Sequence, residues 1–90
     1  MIKIKPKPAN EYLPDYSVAP GQTLLEVIEN LSMTKKDLAL RTSLNEQIID
    51  DIIKGVQPIT FEMANEFESV TGVPARFWNN LERQYRALII

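Results

Sequence analysis

The sequence predicts an all-α chain, and three observations carry that prediction. Residues 34–55, TKKDLALRTSLNEQIIDDIIKG, read as two short helices joined by a tight turn at 41–44, with a glycine just past the second. Apolar residues recur at helical spacing on both sides of that pair. Period-2 alternation, the mark of a strand, is confined to Ile2 and Ile4 between Lys3 and Lys5.

Taken in order, residues 1–19 form an extended N-terminal arm. Pro6, Pro8 and Pro14, with Pro20 just beyond, forbid a helix there. Tyr12, Leu13 and Tyr16 are apolar enough to lie on the domain or on a partner. Residues 20–90 make up the helical domain. Its first helix is expected over 21–30, with Leu24, Leu25, Ile28 and Leu31 as its buried stripe. Thr34 begins the second, where Asp37 completes a capping-box-like pair and Leu38 and Ala39 face inward. Asn45 is a good N-cap for a third helix over 46–54, which Gly55 stops. After Pro58, Thr60 caps a fourth helix over 61–71 that buries Met63, Ala64, Phe67 and Val70 and ends at Gly72. The fifth, over 75–88, enters after Pro74 and presents Phe77, Trp78, Leu81 and Tyr85 as its apolar side. Phe77 and Trp78 are expected in the core. Helices two and three are laid out as a helix-turn-helix, the unit that offers its second helix to the major groove of DNA.

Composition narrows the chemistry. Ninety residues suffice for one modest core. No cysteine or histidine is present, which excludes disulfides, the usual zinc ligands and the usual general base. No cofactor is expected, and no enzymatic activity. No apolar run approaches a membrane span and no signal-peptide core is visible, so the chain reads as cytosolic with no membrane partner. Glu62 is expected to favour the positive end of the fourth helix, with Glu66 and Glu68 a solvated face. Charge opposes nucleic-acid binding: ten Lys plus Arg against twelve Asp plus Glu give a net charge of −2.

The segments PGQTLLEVIE, the helix-turn-helix, GVQPITFEMANEFE and GVPARFWNNLERQY together resemble the antitoxin branch of the phage-repressor-like helix-turn-helix proteins, the HigA and VapI group. The resemblance spans about residues 12–86 and rests on the combination of Pro20-Gly21, Gly55, Ile59-Thr60, Ala64, Gly72, Phe77-Trp78 and Asn80-Leu81. It implies a five-helix phage-repressor-like domain that dimerises on a palindromic operator, represses its own promoter and neutralises an RNA-cleaving toxin, here a basic one to match the acidic chain. The arm YLPDYSVAPGQTL followed by LALRTSLNEQI looks closer still to a subgroup fused to an ImmA/IrrE-type domain. The apolar end 87–90 is then either a last helical turn on the core or a dimer mate, or the point where a longer chain continues.

Three departures stand out. Ser43 occupies a turn position that is usually glycine in the family, where a left-handed backbone would cost about 1 kcal/mol. Recognition-helix positions that are often Arg, Gln, Ser or Thr are Glu46, Gln47, Ile48, Asp50 and Asp51. Val56 and Gln57 replace basic residues after the glycine. The expected DNA-facing set is Lys35, Lys36, Arg41, Asn45, Glu46, Gln47, Ile48, Asp50, Asp51 and Lys54, with Lys3, Lys5 and Lys7 on the arm as further cations. Over 34–57, Lys35, Lys36, Arg41 and Lys54 meet Asp37, Glu46, Asp50 and Asp51, a balance of zero. The stripe Leu81, Tyr85, Leu88 and Ile89 outlasts a small core and is expected as a dimer seam, setting two recognition helices about 34 Å apart. The resulting reading is a DNA-binding regulator of the antitoxin type. Its rivals are a protein-interaction module that has lost DNA binding and the N-terminal domain of an enzyme.

Overall fold

A computed structural model describes residues 18–89, except for the side chain of Ile89. Among the described residues there are five helices and no strand: α1 (Pro20–Asn30), α2 (Lys35–Leu40), α3 (Glu46–Ile53), α4 (Phe61–Thr71) and α5 (Ala75–Ile89). The alternating Ile2 and Ile4, which could form a short edge strand, together with Tyr12, Leu13, Tyr16 and the arm lysines, lie outside the described residues.

Most boundaries fall where local chemistry puts them. Thr34 accepts from the Asp37 amide, and the Asp37 carboxylate accepts from the Thr34 amide, each at 3.0 Å, a complete capping box. Asn45 Oδ1 accepts from the Ile48 amide at 2.8 Å, and Thr60 Oγ1 from the Met63 amide at 3.2 Å. Gly72, at φ 82°, closes α4. The end of α1 differs from expectation. The one non-glycine residue with positive φ among those described is Ser32 (φ 57°), not Ser43. The Ser32 amide reaches Glu29 O at 3.0 Å and the Met33 amide reaches Ile28 O at 2.8 Å, the two bonds of a Schellman ending. Side chains close the turn at 41–44 instead. Thr42 Oγ1 donates to Leu38 O at 2.9 Å and accepts from the Leu44 amide, while Ser43 donates through its amide and hydroxyl to the Glu66 carboxylate.

The helices pack as α1 on α3 and α5, α2 on α3, and α4 on α5. The core joins Leu24, Val27 and Ile28 of α1, Leu38, and Ile49, Ile52 and Ile53 of α3 to Ala64, Phe67, Trp78 and Leu81. Loop residues Ile59 and Val73 complete it. Met63, Val70, Leu25 and Leu31 are only partly buried against it. Trp78 is fully buried, edge-on to Phe67 (5.7 Å) and Phe77 (5.5 Å), and its indole N–H donates to Val73 O. Phe77 is partly buried beside it.

One contact fixes how α3 sits. A Cβ built on Gly21 would lie 2.1 Å from Ile52 O and 2.3 Å from Ile53 Cα. The start of α1 therefore touches the backbone at the end of α3, an approach only glycine permits.

Candidate nucleic-acid interface

The helix-turn-helix is assembled by α2, the turn and α3. Burial of Ile49, Ile52 and Ile53 turns one side of α3 inward, which leaves Glu46, Gln47 and Lys54 exposed and Ile48, Asp50 and Asp51 half-buried. Lys35 of α2 reaches over part of that outer side to Asp50. Lys35, Lys36, Arg41 and Asn45 are exposed next to it on α2 and the turn.

Electrostatically the face is largely self-paired. Lys35 Nζ lies 2.7 Å from Asp50 Oδ1, bridging α2 to α3. This hydrogen bond, more than the ammonium's charge alone, holds the Asp50 carboxyl below the ordinary aspartate value. Asp37 is held low first by the Thr34 backbone amide, then by the Thr34 hydroxyl. Gln47 Nε2 donates to Asp51 Oδ1 at 3.0 Å. A shallow hollow of about 220 Å³ is lined by Lys35, Glu46, Gln47 and Asp50. Asn45 uses its carbonyl oxygen as the α3 cap. Lys36, Arg41 and Lys54 complete the cations of the motif.

The end of α3 is anchored from three directions. Gln22 Nε2 of α1 donates to Ile53 O at 2.9 Å, and Arg86 of α5 donates to Gly55 O at 3.3 Å. The amides of Val56 and Gln57 both turn back onto Asp51 O. Arg86 also pairs with Glu82, which in turn accepts from the Ile59 amide at 3.0 Å.

Sequence reasoning missed these roles. Glu66 and Glu68 are not simply a solvated face: Glu66 closes the turn at Ser43, and Glu68 accepts from the Ala75 amide at the start of α5. Glu82 and Arg86 were not singled out, and only their i, i+4 spacing on α5 hinted at the pair. The expected dimer seam also divides. Leu81 is 3% exposed and belongs to the monomer core, because its side of α5 carries Trp78 one turn earlier. Tyr85 is half-buried over Gly55, and Leu88 is exposed. Val56, Phe61 and Leu40 are further large exposed apolar residues. Among the described residues no acidic cluster is arranged to hold a metal ion, and no helix is long and apolar enough to cross a membrane.

No protein-family profile and no curated protein matches the chain. Solved structures do. An addiction module antidote protein of a HigA family from Coxiella burnetii shares 26% identity at a TM-score of 0.73, covering 79% of this chain and 78% of that one. The fold is that of the HigA-type antitoxins. Pseudomonas aeruginosa antitoxin HigA, solved with the higBA promoter, aligns at a TM-score of 0.75 with 23% identity, covering 81% of this chain and 80% of that one. A Pseudomonas aeruginosa chain in complex with its 18-bp operator DNA aligns at 0.71 with 24% identity, over 83% and 78%. The first of these is an addiction module antidote, the second an antitoxin solved with promoter DNA, and the third a chain bound to its operator. None of the three matches bears on the ImmA/IrrE fusion.

Proposed function

We propose that the chain is a sequence-specific DNA-binding regulator of the antitoxin type, working as a homodimer that occludes its own promoter. The observation that carries this reading is the exposure of Glu46, Gln47 and Lys54 on the outer side of α3, which stands beside α2 in a fold shared with structures solved on promoter and operator DNA. In this reading Gln47 and its neighbours meet base edges. Lys36, Arg41, Lys54 and the amides at the start of α3 meet phosphates. With a motif charge near zero, affinity depends on few phosphate contacts and falls steeply with salt only in proportion to them.

Leu88 and Phe61 are the exposed apolar residues we assign to subunit contact, and neutralisation of a basic RNA-cleaving toxin is the second activity of the assembly. The test is a gel shift on DNA from upstream of the chain's own gene at low salt. A retarded band weakened in Gln47→Ala, together with a dimer mass that reverts to monomer in Leu88→Glu, is the expected result. No band at any salt, alongside a stable protein complex, would replace the regulator with an interaction module.

A further inference from the structure

The outer side of α3 is rich in acceptors and poor in donors. Glu46, Asp50 and Asp51 accept only, and Asp50 already holds Lys35. Gln47 is the one side chain there with an amide, and its Nε2 donates a hydrogen bond to Asp51 Oδ1 at 3.0 Å. A glutamine amide has nearly the same shape either way round, so alone it reads a base ambiguously. Beside a carboxylate the ambiguity goes, because the flipped amide would set its oxygen against the Asp51 oxygens. Gln47 Oε1 and the second Asp51 oxygen are left to accept, and the second Nε2 hydrogen to donate, toward whatever lies opposite.

We infer that Asp51 determines base preference by fixing the Gln47 amide, so that the pair selects bases carrying an exocyclic amine in the major groove, cytosine through N4 or adenine through N6. This rests on the DNA-binding reading above. Guanine and thymine present O6, N7 or O4 at that edge, all acceptors; one of these can take the remaining Nε2 hydrogen, but Gln47 Oε1 and the second Asp51 oxygen are then desolvated with no donor. The penalty matters more than the attraction, since the same carboxylate also repels phosphate. Asp51 thus lowers affinity for all DNA while sharpening the choice among sequences.

The experiment selects duplexes from a pool of randomised double-stranded DNA at low salt with the wild-type chain, Asp51→Asn and Gln47→Ala. Helical content is compared to establish that each is folded. Wild type is expected to enrich cytosine or adenine at one position of each half-site, roughly five- to a hundredfold over guanine or thymine. Asp51→Asn, whose amide offers donor and acceptor alike, is expected to lose that preference at the position where Gln47→Ala also loses it. It should also bind unselected DNA more tightly than wild type. Identical base preferences in wild type and Asp51→Asn, or enrichment of guanine or thymine at the shared position, would overturn the inference and leave the regulator standing. Retention of no duplex by any of the three proteins would overturn both.

Discussion

Gly21→Ala tests the contact that seats α3. The added methyl carbon would lie 2.1 Å from Ile52 O and 2.3 Å from Ile53 Cα, against a practical limit near 3.0 Å. Both are backbone atoms, so no side-chain rotation relieves the clash. The first turn of α1 must move off the end of α3 by about 0.9 Å or more, in a core already in contact. Overpacking of this kind typically costs about 1–3 kcal/mol and more when backbone must yield. The helix propensity gained by alanine offsets at most about 1 kcal/mol, and less in a first turn. A net loss of about 2 kcal/mol corresponds to a fall in melting temperature on the order of 10 °C for a domain this size. Gly72→Ala is the control: it meets no atom within 4 Å and bears only the cost of φ 82°, about 1 kcal/mol. Thermal unfolding followed by far-ultraviolet circular dichroism compares them. Gly21→Ala as stable as wild type, or more stable than Gly72→Ala, would refute the assigned contact.

Two further outcomes are expected. Ser32→Gly should raise stability by up to about 1 kcal/mol in urea unfolding, because Ser32 alone among the described non-glycine residues holds a left-handed backbone; an unchanged midpoint would contradict the Schellman assignment. Asp37 titrates below its ordinary value of 3.8 because the Thr34 amide binds its ionised form. Its contribution is therefore full above that value and disappears as pH falls through the lower folded-state value. Urea midpoints of wild type and Asp37→Asn should differ at neutral pH and converge in acid, and a gap that persists at every pH would count against the capping box.

The helices were legible because their signals are local. Thr34 with Asp37, Asn45, Thr60 and Gly72 each act within four residues of the backbone groups they satisfy. The inward side of α3 followed from three isoleucines at helical spacing. What escaped is long-range and polar. Glu66 meets Ser43 across 23 residues, Glu82 meets Ile59 across 23, and Gln22 meets Ile53 across 31. An isolated glutamate in a helical pattern carries no mark that distinguishes a tie from a solvated charge. Leu81's place in the expected seam was misjudged for a related reason. Spacing shows which residues share a side of a helix but not where along it the core runs out, and here it runs out between Leu81 and Leu88.

If α3 meets DNA as proposed, the ties at its last turn bear on how the chain would search. With Gln22 holding Ile53 O and Arg86 holding Gly55 O, the helix is pinned to two elements that are remote in sequence. It cannot tilt to suit a poor site without breaking those bonds, so mismatched sequences gain nothing from local adjustment. Such preorganisation also spares the entropy that a loose element surrenders on docking. On that reading selectivity would be a property of the whole bundle's stiffness, and residues as distant as Gln22 and Arg86 would share in it.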